Sequence, residues 1–344
     1  MQYKCLGNSD IFASRIALGA WAIGGWMWGG QDDEDSIRTI HAAIDAGINF
    51  IDTAPMYGMG HSETVVGKAI ADRPRDGLVI ATKCGMRWDL EQPAGRAFFR
   101  TDDDSITDDG KYQVYIYNAP ESIRYEVEQS LKRLNTDYID LLQTHWQEQT
   151  TPLEDTLKVL NDLRDEGKIR AFGPCNATPE QLAQYADTGA VTDQEKYSLL
   201  DRGPEGELLP ICREKNVAFL AYSPLANGLL TGKIGPDRVF PKDDLRAQRA
   251  RFSVESRQLV QDALRKIQPI ADGHDCTLAQ LIIAWTLAQP GVTHPLIGAR
   301  NIQQAQENAA AADLALSEDE LRQIDDACGD LAENIGGSGP PVKS

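Results

Sequence analysis

Short apolar runs of strand length recur along the chain with amphipathic stretches between them, the alternation expected when parallel strands are covered by helices. Eight runs fall near residues 16–21, 48–53, 78–83, 138–145, 169–173, 191–196, 217–223 and 294–298. Eight βα units predict a closed (β/α)8 TIM barrel of the α/β class. Between the runs the helix grammar is explicit: one pattern ends on Gly47, one opens on Pro120, and one opens at Thr151 and closes on Gly167. The connection at 224–290 carries two helical patterns, 256–271 and 278–289, and a further one at 318–329 follows the eighth run. Two helices are therefore expected beyond those that cover the barrel. Residues around Asn8 and Ser9 predict an N-terminal β-hairpin.

Two stretches carry no such pattern. Residues 87–119 hold the acidic TDDDSITDDG and too few regularly spaced apolar positions for a helix, so they are expected to form a long, mobile loop. Residues 333–344 are expected to form a disordered tail, leaving residues 1–332 as a single barrel domain. No repeat beyond the βα alternation and no break in composition marks a second domain.

Composition narrows the function classes. With 34 Lys plus Arg against 52 Asp plus Glu, the formal charge of −18 repels nucleic-acid phosphate and anionic membrane surfaces. No basic start leads into an apolar segment and nowhere do about 18 apolar residues run together, so the reading is a protein without signal or membrane span. Six cysteines stand apart at 5, 84, 175, 212, 276 and 328 with no Cys-x-x-Cys pair, which suits reduced thiols in the cytoplasm and argues against structural zinc. Oligomeric state is not legible.

In a barrel, chemistry gathers where the strands end, because the βα loops meet there. Three interior runs stop on ionisable side chains: INFID on Asp52, LVIATK on Lys83 and YIDLLQTH on His145, with Tyr57 five residues past Asp52. Singly, each has a plain structural role available as a cap, a snorkelling cation or a packed imidazole. Together, a lysine and a histidine at one end of a barrel must pair or work, and Asp52 is the partner for Lys83.

The segments DTAPMYG, ATKCG, LLQTHW, EGKIRAFG, AYSPLANGLLTGK and IGARNIQQAQEN, in this order along nearly the whole chain, resemble the aldo-keto reductase family, and GARN at the eighth strand resembles its bacterial branch. The resemblance implies a catalytic tetrad of Asp52, Tyr57, Lys83 and His145. It also implies a nicotinamide cofactor, NADPH or NADP with NAD possible, and small carbonyl or alcohol substrates. No GxGxxG follows the first strand and GLLTGK is one residue short of a phosphate-binding GxxxxGK loop, so the nucleotide is expected at the loop after the last strand. There the resemblance assigns Gly298, Arg300, Gln304, Glu307 and Asn308 to the adenosine end, with Arg300 favouring a 2′-phosphate. Tyr222 would stack on the nicotinamide, Ser223, Leu225 and Lys233 would line the pyrophosphate, and Asn176 with Gln194 would hold the carboxamide. Trp21 falls on the cofactor side as well. Cys175 stands where the family usually has a serine, and a thiol donates a weaker hydrogen bond.

Carbonyl reduction leaves negative charge on oxygen, so the site must stabilise that oxygen and deliver a proton. Tyr57 is the expected proton donor. Unit charges about 4 Å apart at an effective dielectric of about 20 interact by roughly 4 kcal/mol, so Lys83 is expected to lower the tyrosine pKa. Asp52 would orient Lys83, and His145 would donate to the substrate oxygen in a charge state left open. No metal is required. Trp28, Trp88 and Trp146, with Trp21 and Trp26, lie in the expected loops and predict an aromatic-walled pocket for small, neutral carbonyls. A nicotinamide-binding regulatory subunit with little turnover is the rival reading, since some relatives in this family partner a membrane channel. A carboxylate-dependent hydrolase would require activity without nicotinamide.

Overall fold

The computed structural model describes residues 1–337. Eight parallel strands, β1 (Ala17–Gly19), β2 (Phe50–Asp52), β3 (Val79–Cys84), β4 (Ile139–Thr144), β5 (Ile169–Pro174), β6 (Thr192–Lys196), β7 (Ala218–Tyr222) and β8 (Val292–Gly298), pair in the order β5-β4-β3-β2-β1-β8-β7-β6. The seam between β5 and β6 is joined by a bridge between Cys175 and Gln194. The Val191 amide donates to Phe172 O at 2.9 Å and the Asn176 amide to Gln194 O at 3.1 Å. This close approach depends on Gly173, where a Cβ would lie 2.2 Å from Thr192 O. Each strand falls within a few residues of an expected run, although β6 is itself polar, TDQEK, with its first four residues buried, and the result is the (β/α)8 barrel.

Side chains alternate along a strand, so every second residue fills the barrel. Ala17, Phe50, Ala81, Leu141, Ala171 and Leu220 pack there as one buried cluster. The expected hairpin forms from Tyr3–Cys5 and Phe12–Ser14, and Leu6, Ile11 and Ala13 plug the mouth at which the strands begin. With that end stoppered, the opposite, carboxyl-terminal mouth is left for ligands.

Helices cover the outside: α1 (Asp33–Asp45), α2 (His61–Ile70), α3 (Pro120–Leu134), α4 (Leu153–Asp165), α5 (Pro179–Asp187), α6 (Leu208–Lys215), α7 (Val254–Gly273), α8 (Leu278–Ala288), α9 (Ile302–Ala310), α10 (Glu318–Cys328) and α11 (Leu331–Asn334). Their starts follow the capping chemistry of the sequence, with reciprocal Thr178–Gln181, Thr277–Gln280 and Ser317–Glu320 boxes. Apolar faces such as Ile40 on α1, Val127 on α3 and Leu160 on α4 are fully buried against the strands. Each such aliphatic side chain contributes about 1.5–3 kcal/mol by leaving water. The two expected additional helices are α7, between β7 and α8, and α10, after α9.

Two expectations are corrected. Residues 87–119 are not one irregular loop: Met86–Arg87, Arg96–Thr101 and Tyr112–Ile116 form a three-stranded antiparallel sheet with Tyr112–Ile116 in the centre. The apolar positions Val114 and Ile116 repeat every second residue, a strand period that a search at helical spacing passes over. Of the segment 333–344 expected to be disordered, residues 333 and 334 belong to α11 and Ile335 is buried in a core cluster with α7 residues. Residues 338–344 lie outside the described residues. No helix among the described residues is long and apolar enough to cross a membrane.

Candidate active site

Asp52 is the last residue of β2, and Lys83 lies one residue before the end of β3, facing the interior beside it. Both are almost fully buried, with 2% and 1% exposure. Burying an ammonium is costly unless it is neutralised and hydrogen-bonded. Lys83 Nζ donates to Asp52 Oδ1 at 2.6 Å, to Thr53 O at 2.9 Å and to the Tyr57 hydroxyl at 3.2 Å. Tyr57 sits on the turn after β2. Gly24 in the loop after β1 packs against its backbone, where a Cβ would be 2.6 Å from Tyr57 O. The His145 ring, just past β4, stands edge-on to the Tyr57 ring with centroids 5.9 Å apart. The structure thus brings all four residues of the expected tetrad together at the open mouth.

The electrostatics differ from the sequence expectation at one point. Removal from water pushes the Tyr57 hydroxyl up to about 12, and the nearby Lys83 ammonium, which acts in the opposite direction, only reduces that rise. The expected lowering by Lys83 is therefore outweighed by desolvation, which the sequence could not weigh, and Tyr57 is a protonated phenol at neutral pH. For Lys83, burial acts to lower the pKa, but Asp52 and Tyr57 more than reverse it and the amine stays charged. His145 is held well below its ordinary range, first by desolvation and then by Lys83, so its imidazole is neutral.

Above the tetrad lies an aromatic canopy. Trp21 stacks over Tyr57 at 6.1 Å and meets Trp28 edge-to-face at 5.4 Å. Trp88 and Trp146 belong to the same cluster, together with Trp26, Met56 and Met86. The loop after β1 is sewn to two neighbours: Trp26 Nε1 donates to Thr101 Oγ1 at 3.1 Å, the Met27 amide to Asp104 O at 2.8 Å, and the Leu245 amide to Met27 O at 3.0 Å. The antiparallel sheet is accordingly a wall of the mouth.

The other arc of the mouth carries the residues assigned to the nucleotide. Asn176, in the left-handed region at φ +54°, donates through Nδ2 to His145 O at 2.9 Å and accepts the Tyr222 hydroxyl at 2.9 Å. Ser223 is also left-handed, at φ +56°, and Leu225 follows it half-buried. Lys233 reaches across to Glu307, 3.8 Å away, and Asn308 Nδ2 donates to Gly298 O at 3.2 Å. Gln304 Oε1 accepts the Arg300 amide at 2.8 Å. The Arg300 side chain is folded onto Gln31 and Gly30 O. The Gln194 side chain turns inward to Asp52 Oδ2 at 2.9 Å. Cys175 is a buried thiol pushed up by desolvation and so stays protonated. Among the described residues no cluster of three or more His, Cys, Asp or Glu could hold a metal.

Several residues of the site were not singled out in the sequence. Arg249, half-buried beside Tyr222, has no carboxylate partner among the described residues, and its Nη1 lies 3.4 Å from Asn227 Oδ1. Gln31 and Gln143 were missed because an uncharged amide in a loop or a strand gives no pattern signal, and the unpaired state of Arg249 depends on the fold. Arg249, Lys233 and Arg300 are cationic, and α9 begins just after Arg300 with Asn301 as its N-cap.

The profile of the Aldo/keto reductase family matches residues 15–328. The chain is 43% identical to the NADH-specific methylglyoxal reductase of Escherichia coli (strain K12), over 91% of this chain and 94% of that protein. It is 33% identical to a probable voltage-gated potassium channel subunit beta of Arabidopsis thaliana, over 91% of this chain and 92% of that one. Among solved structures, that of a glycerol dehydrogenase from Gluconobacter oxydans superposes with a TM-score of 0.83 at 37% identity, covering 99% of this chain and 98% of the other.

Proposed function

We propose that this chain, which belongs to the aldo-keto reductase family, reduces small uncharged aldehydes and ketones with Tyr57 as proton donor, and runs in reverse on small alcohols and polyols. Membership makes it a nicotinamide-dependent oxidoreductase of carbonyl and hydroxyl groups. The bound nicotinamide supplies the hydride. The observation that carries the proton-donor reading is the Tyr57 hydroxyl, 3.2 Å from a Lys83 ammonium that is itself fixed 2.6 Å from Asp52.

In this reading a protonated phenol meets the carbonyl oxygen as charge develops there and gives up its proton, while Lys83 stabilises the tyrosinate left behind. Asp52 keeps Lys83 charged and aimed. Neutral His145 donates one ring N–H to the same oxygen and holds the carbonyl in register. The canopy of Trp21, Trp28, Trp88 and Trp146 excludes water and favours uncharged substrates.

For the cofactor, Asn176 would hold the carboxamide from its position beside Tyr222, with Cys175 and Gln194 behind it and Trp21 on the tetrad side. Ser223, Leu225, Lys233 and Arg249 would line the diphosphate. Gly298, Arg300, Gln304, Glu307 and Asn308 would receive the adenosine end, and the Arg300 guanidinium favours NADPH while the NADH specificity of the bacterial relative keeps NAD in play. Six free thiols, four of them buried, suit the reducing cytoplasm.

Methylglyoxal and glyceraldehyde with NADPH and NADH are the assays of choice, because the relatives' names point to such compounds. The expected result is cofactor oxidation by the parent, abolished in Tyr57→Phe with cofactor quenching of tryptophan fluorescence retained. Parental turnover by Tyr57→Phe overturns the donor assignment. Quenching without turnover across a broad carbonyl panel would instead favour the regulatory role suggested by the channel-subunit relative.

A further inference from the structure

Below the tetrad lies a polar layer that the chemistry above does not require for contact with any ligand. Gln143 on β4 is fully buried and faces inward, two residues above Leu141 in the apolar barrel filling and two residues before His145. A buried amide without partners would be unfavourable in that setting, and Gln143 has two. Its Nε2 donates to Asp52 Oδ2 at 3.1 Å, and its Oε1 accepts Gln194 Nε2 at 3.1 Å. Gln194 Nε2 also donates to Asp52 Oδ2, at 2.9 Å.

The two Asp52 oxygens therefore have separate duties. Oδ1 takes the Lys83 ammonium, and Oδ2 takes one N–H from each of two glutamines held on strands across the barrel. We propose that Gln143 is a positioning residue for the reaction: with Gln194 it fixes the plane of the Asp52 carboxylate so that Lys83 is presented to the Tyr57 oxygen. This rests on the reading of Tyr57 as proton donor. Gln143 touches neither substrate nor cofactor and acts through Asp52. Because Gln194 belongs both to this layer and to the nucleotide arc, the layer also ties the cofactor side of the mouth to the proton-donor side.

The titratable groups around the layer are Asp52 on β2, Tyr57 after it, Lys83 on β3, His145 after β4, Cys175 after β5 and Tyr222 at the end of β7. Only Asp52 among them is hydrogen-bonded to Gln143, so a carboxyl introduced at 143 reports on that contact. In Gln143→Glu the protonated acid can donate its single O–H to Asp52 Oδ2 as the amide does. The ionised form cannot donate and sets a second negative charge against Asp52.

The test compares Gln143→Glu with Gln143→Met, which fills a similar volume but cannot donate, across about pH 5 to 9. Gln143→Met is expected to lose about 10- to 100-fold in kcat at every pH, the size for one lost buried hydrogen bond to a charged group, with the KM for cofactor little changed. Gln143→Glu is expected to be most active at the acid end and to fall by about tenfold or more, relative to the parent, as pH rises. A Gln143→Glu to parent ratio that stays flat with pH overturns the proposal, as does a Gln143→Met protein with parental kcat. If Gln143→Met does not fold, the pH slope of Gln143→Glu decides alone, and if Gln143→Glu does not fold, the kcat-against-KM split of Gln143→Met decides. Tyr57→Phe in the same assay separates the two levels: parental turnover there would fail the proton-donor reading, whereas an inactive Tyr57→Phe beside pH-flat Gln143 variants would fail only this inference.

Discussion

Gln31 and Arg300, 269 positions apart, clasp one another: Arg300 Nε donates to Gln31 Oε1 and Gln31 Nε2 donates to Arg300 O, each at 3.0 Å. The guanidinium also reaches Gly30 O at 2.7 Å. A phosphate arriving at Arg300 must exchange these contacts to neutral carbonyl oxygens for an ion pair with an anionic acceptor, the geometry guanidinium groups favour. Arg300→Ala is expected to weaken NADPH by about tenfold or more while changing NADH by much less, as removing one exposed charge-assisted contact would. Titration of both nucleotides by tryptophan quenching checks this, and equal weakening of the two would remove Arg300 from 2′-phosphate recognition.

The protonated phenol sets a pH profile. With the Tyr57 hydroxyl pushed up to about 12 in the unliganded protein, ionisation of this group leaves carbonyl reduction unaffected through the neutral and mildly alkaline range. A kcat/KM for aldehyde that holds level between about pH 7 and 10 is the expected result. An alkaline fall centred near pH 8 would show that a different group, or a different tyrosine environment, governs proton delivery.

Glu126 on α3 lies buried behind the loop that follows Lys83, accepting the Gly85 amide at 3.0 and 3.1 Å. Desolvation raises its pKa to about 8, against the pull of Arg87 and of that amide. The unfolded chain gives up this proton near its ordinary 4.5 and the folded chain only near 8, so the unfolded state binds fewer protons in between and stability falls as pH rises through that window. Gln at 126 keeps an acceptor for Gly85 without the charge. Thermal melting of Glu126→Gln is expected to match the parent near pH 4.5 and to exceed it by a few degrees near pH 8.5. A constant difference at both pH values would count against the buried-acid account.

Gly173 marks the seam of the barrel. Its substitution by alanine would set a methyl 2.2 Å from Thr192 O, backbone against side chain with no flexible end to yield. Overpacking of this kind costs about 1–3 kcal/mol, read as a lower denaturation midpoint. The seam also carries the Asn176 and Gln194 pairing, so cofactor affinity should drop with it. A Gly173→Ala protein with parental midpoint and affinity would show that β5 and β6 can part without consequence.

What the sequence made legible was what depends on local pattern. Strands other than the polar β6 followed apolar runs, and Asp52, Lys83 and His145 stood out because each put an ionisable group at the end of such a run. His294 shows how far placement decides: it lies within a strand too, but near the plugged mouth, where its Nδ1 meets Ser14 O at 3.0 Å and desolvation pushes it down to about 4. The sheet at 86–116 was hidden because the buried positions of its central strand, Val114 and Ile116, recur with period two, while the Arg96–Thr101 strand is mostly exposed, all inside an acidic, turn-rich segment. The direction of the Tyr57 shift was hidden for another reason. The sequence names the cation beside a phenol but not how much water surrounds either. Contacts such as Gln31 with Arg300, or Gln143 with Asp52, bring uncharged amides together across the fold, and no local pattern announces them.

Asp52, Tyr57, Lys83 and His145 all hang from three adjacent staves of the barrel, β2 to β4, whereas Asn176, Gln194, Tyr222, Ser223 and Arg300 hang from the four staves β5 to β8. In the proposed reading, proton handling and nucleotide seating fall to separate sectors of one hoop. The two sectors are joined by the Gln194 to Asp52 Oδ2 and Asn176 to His145 O hydrogen bonds, so a distortion of one reaches the other through these contacts and alters the gap between donor oxygen and nucleotide. The span from one sector to the other is the dimension this scaffold must hold steady, and it is where slow, well-folded variants should be sought.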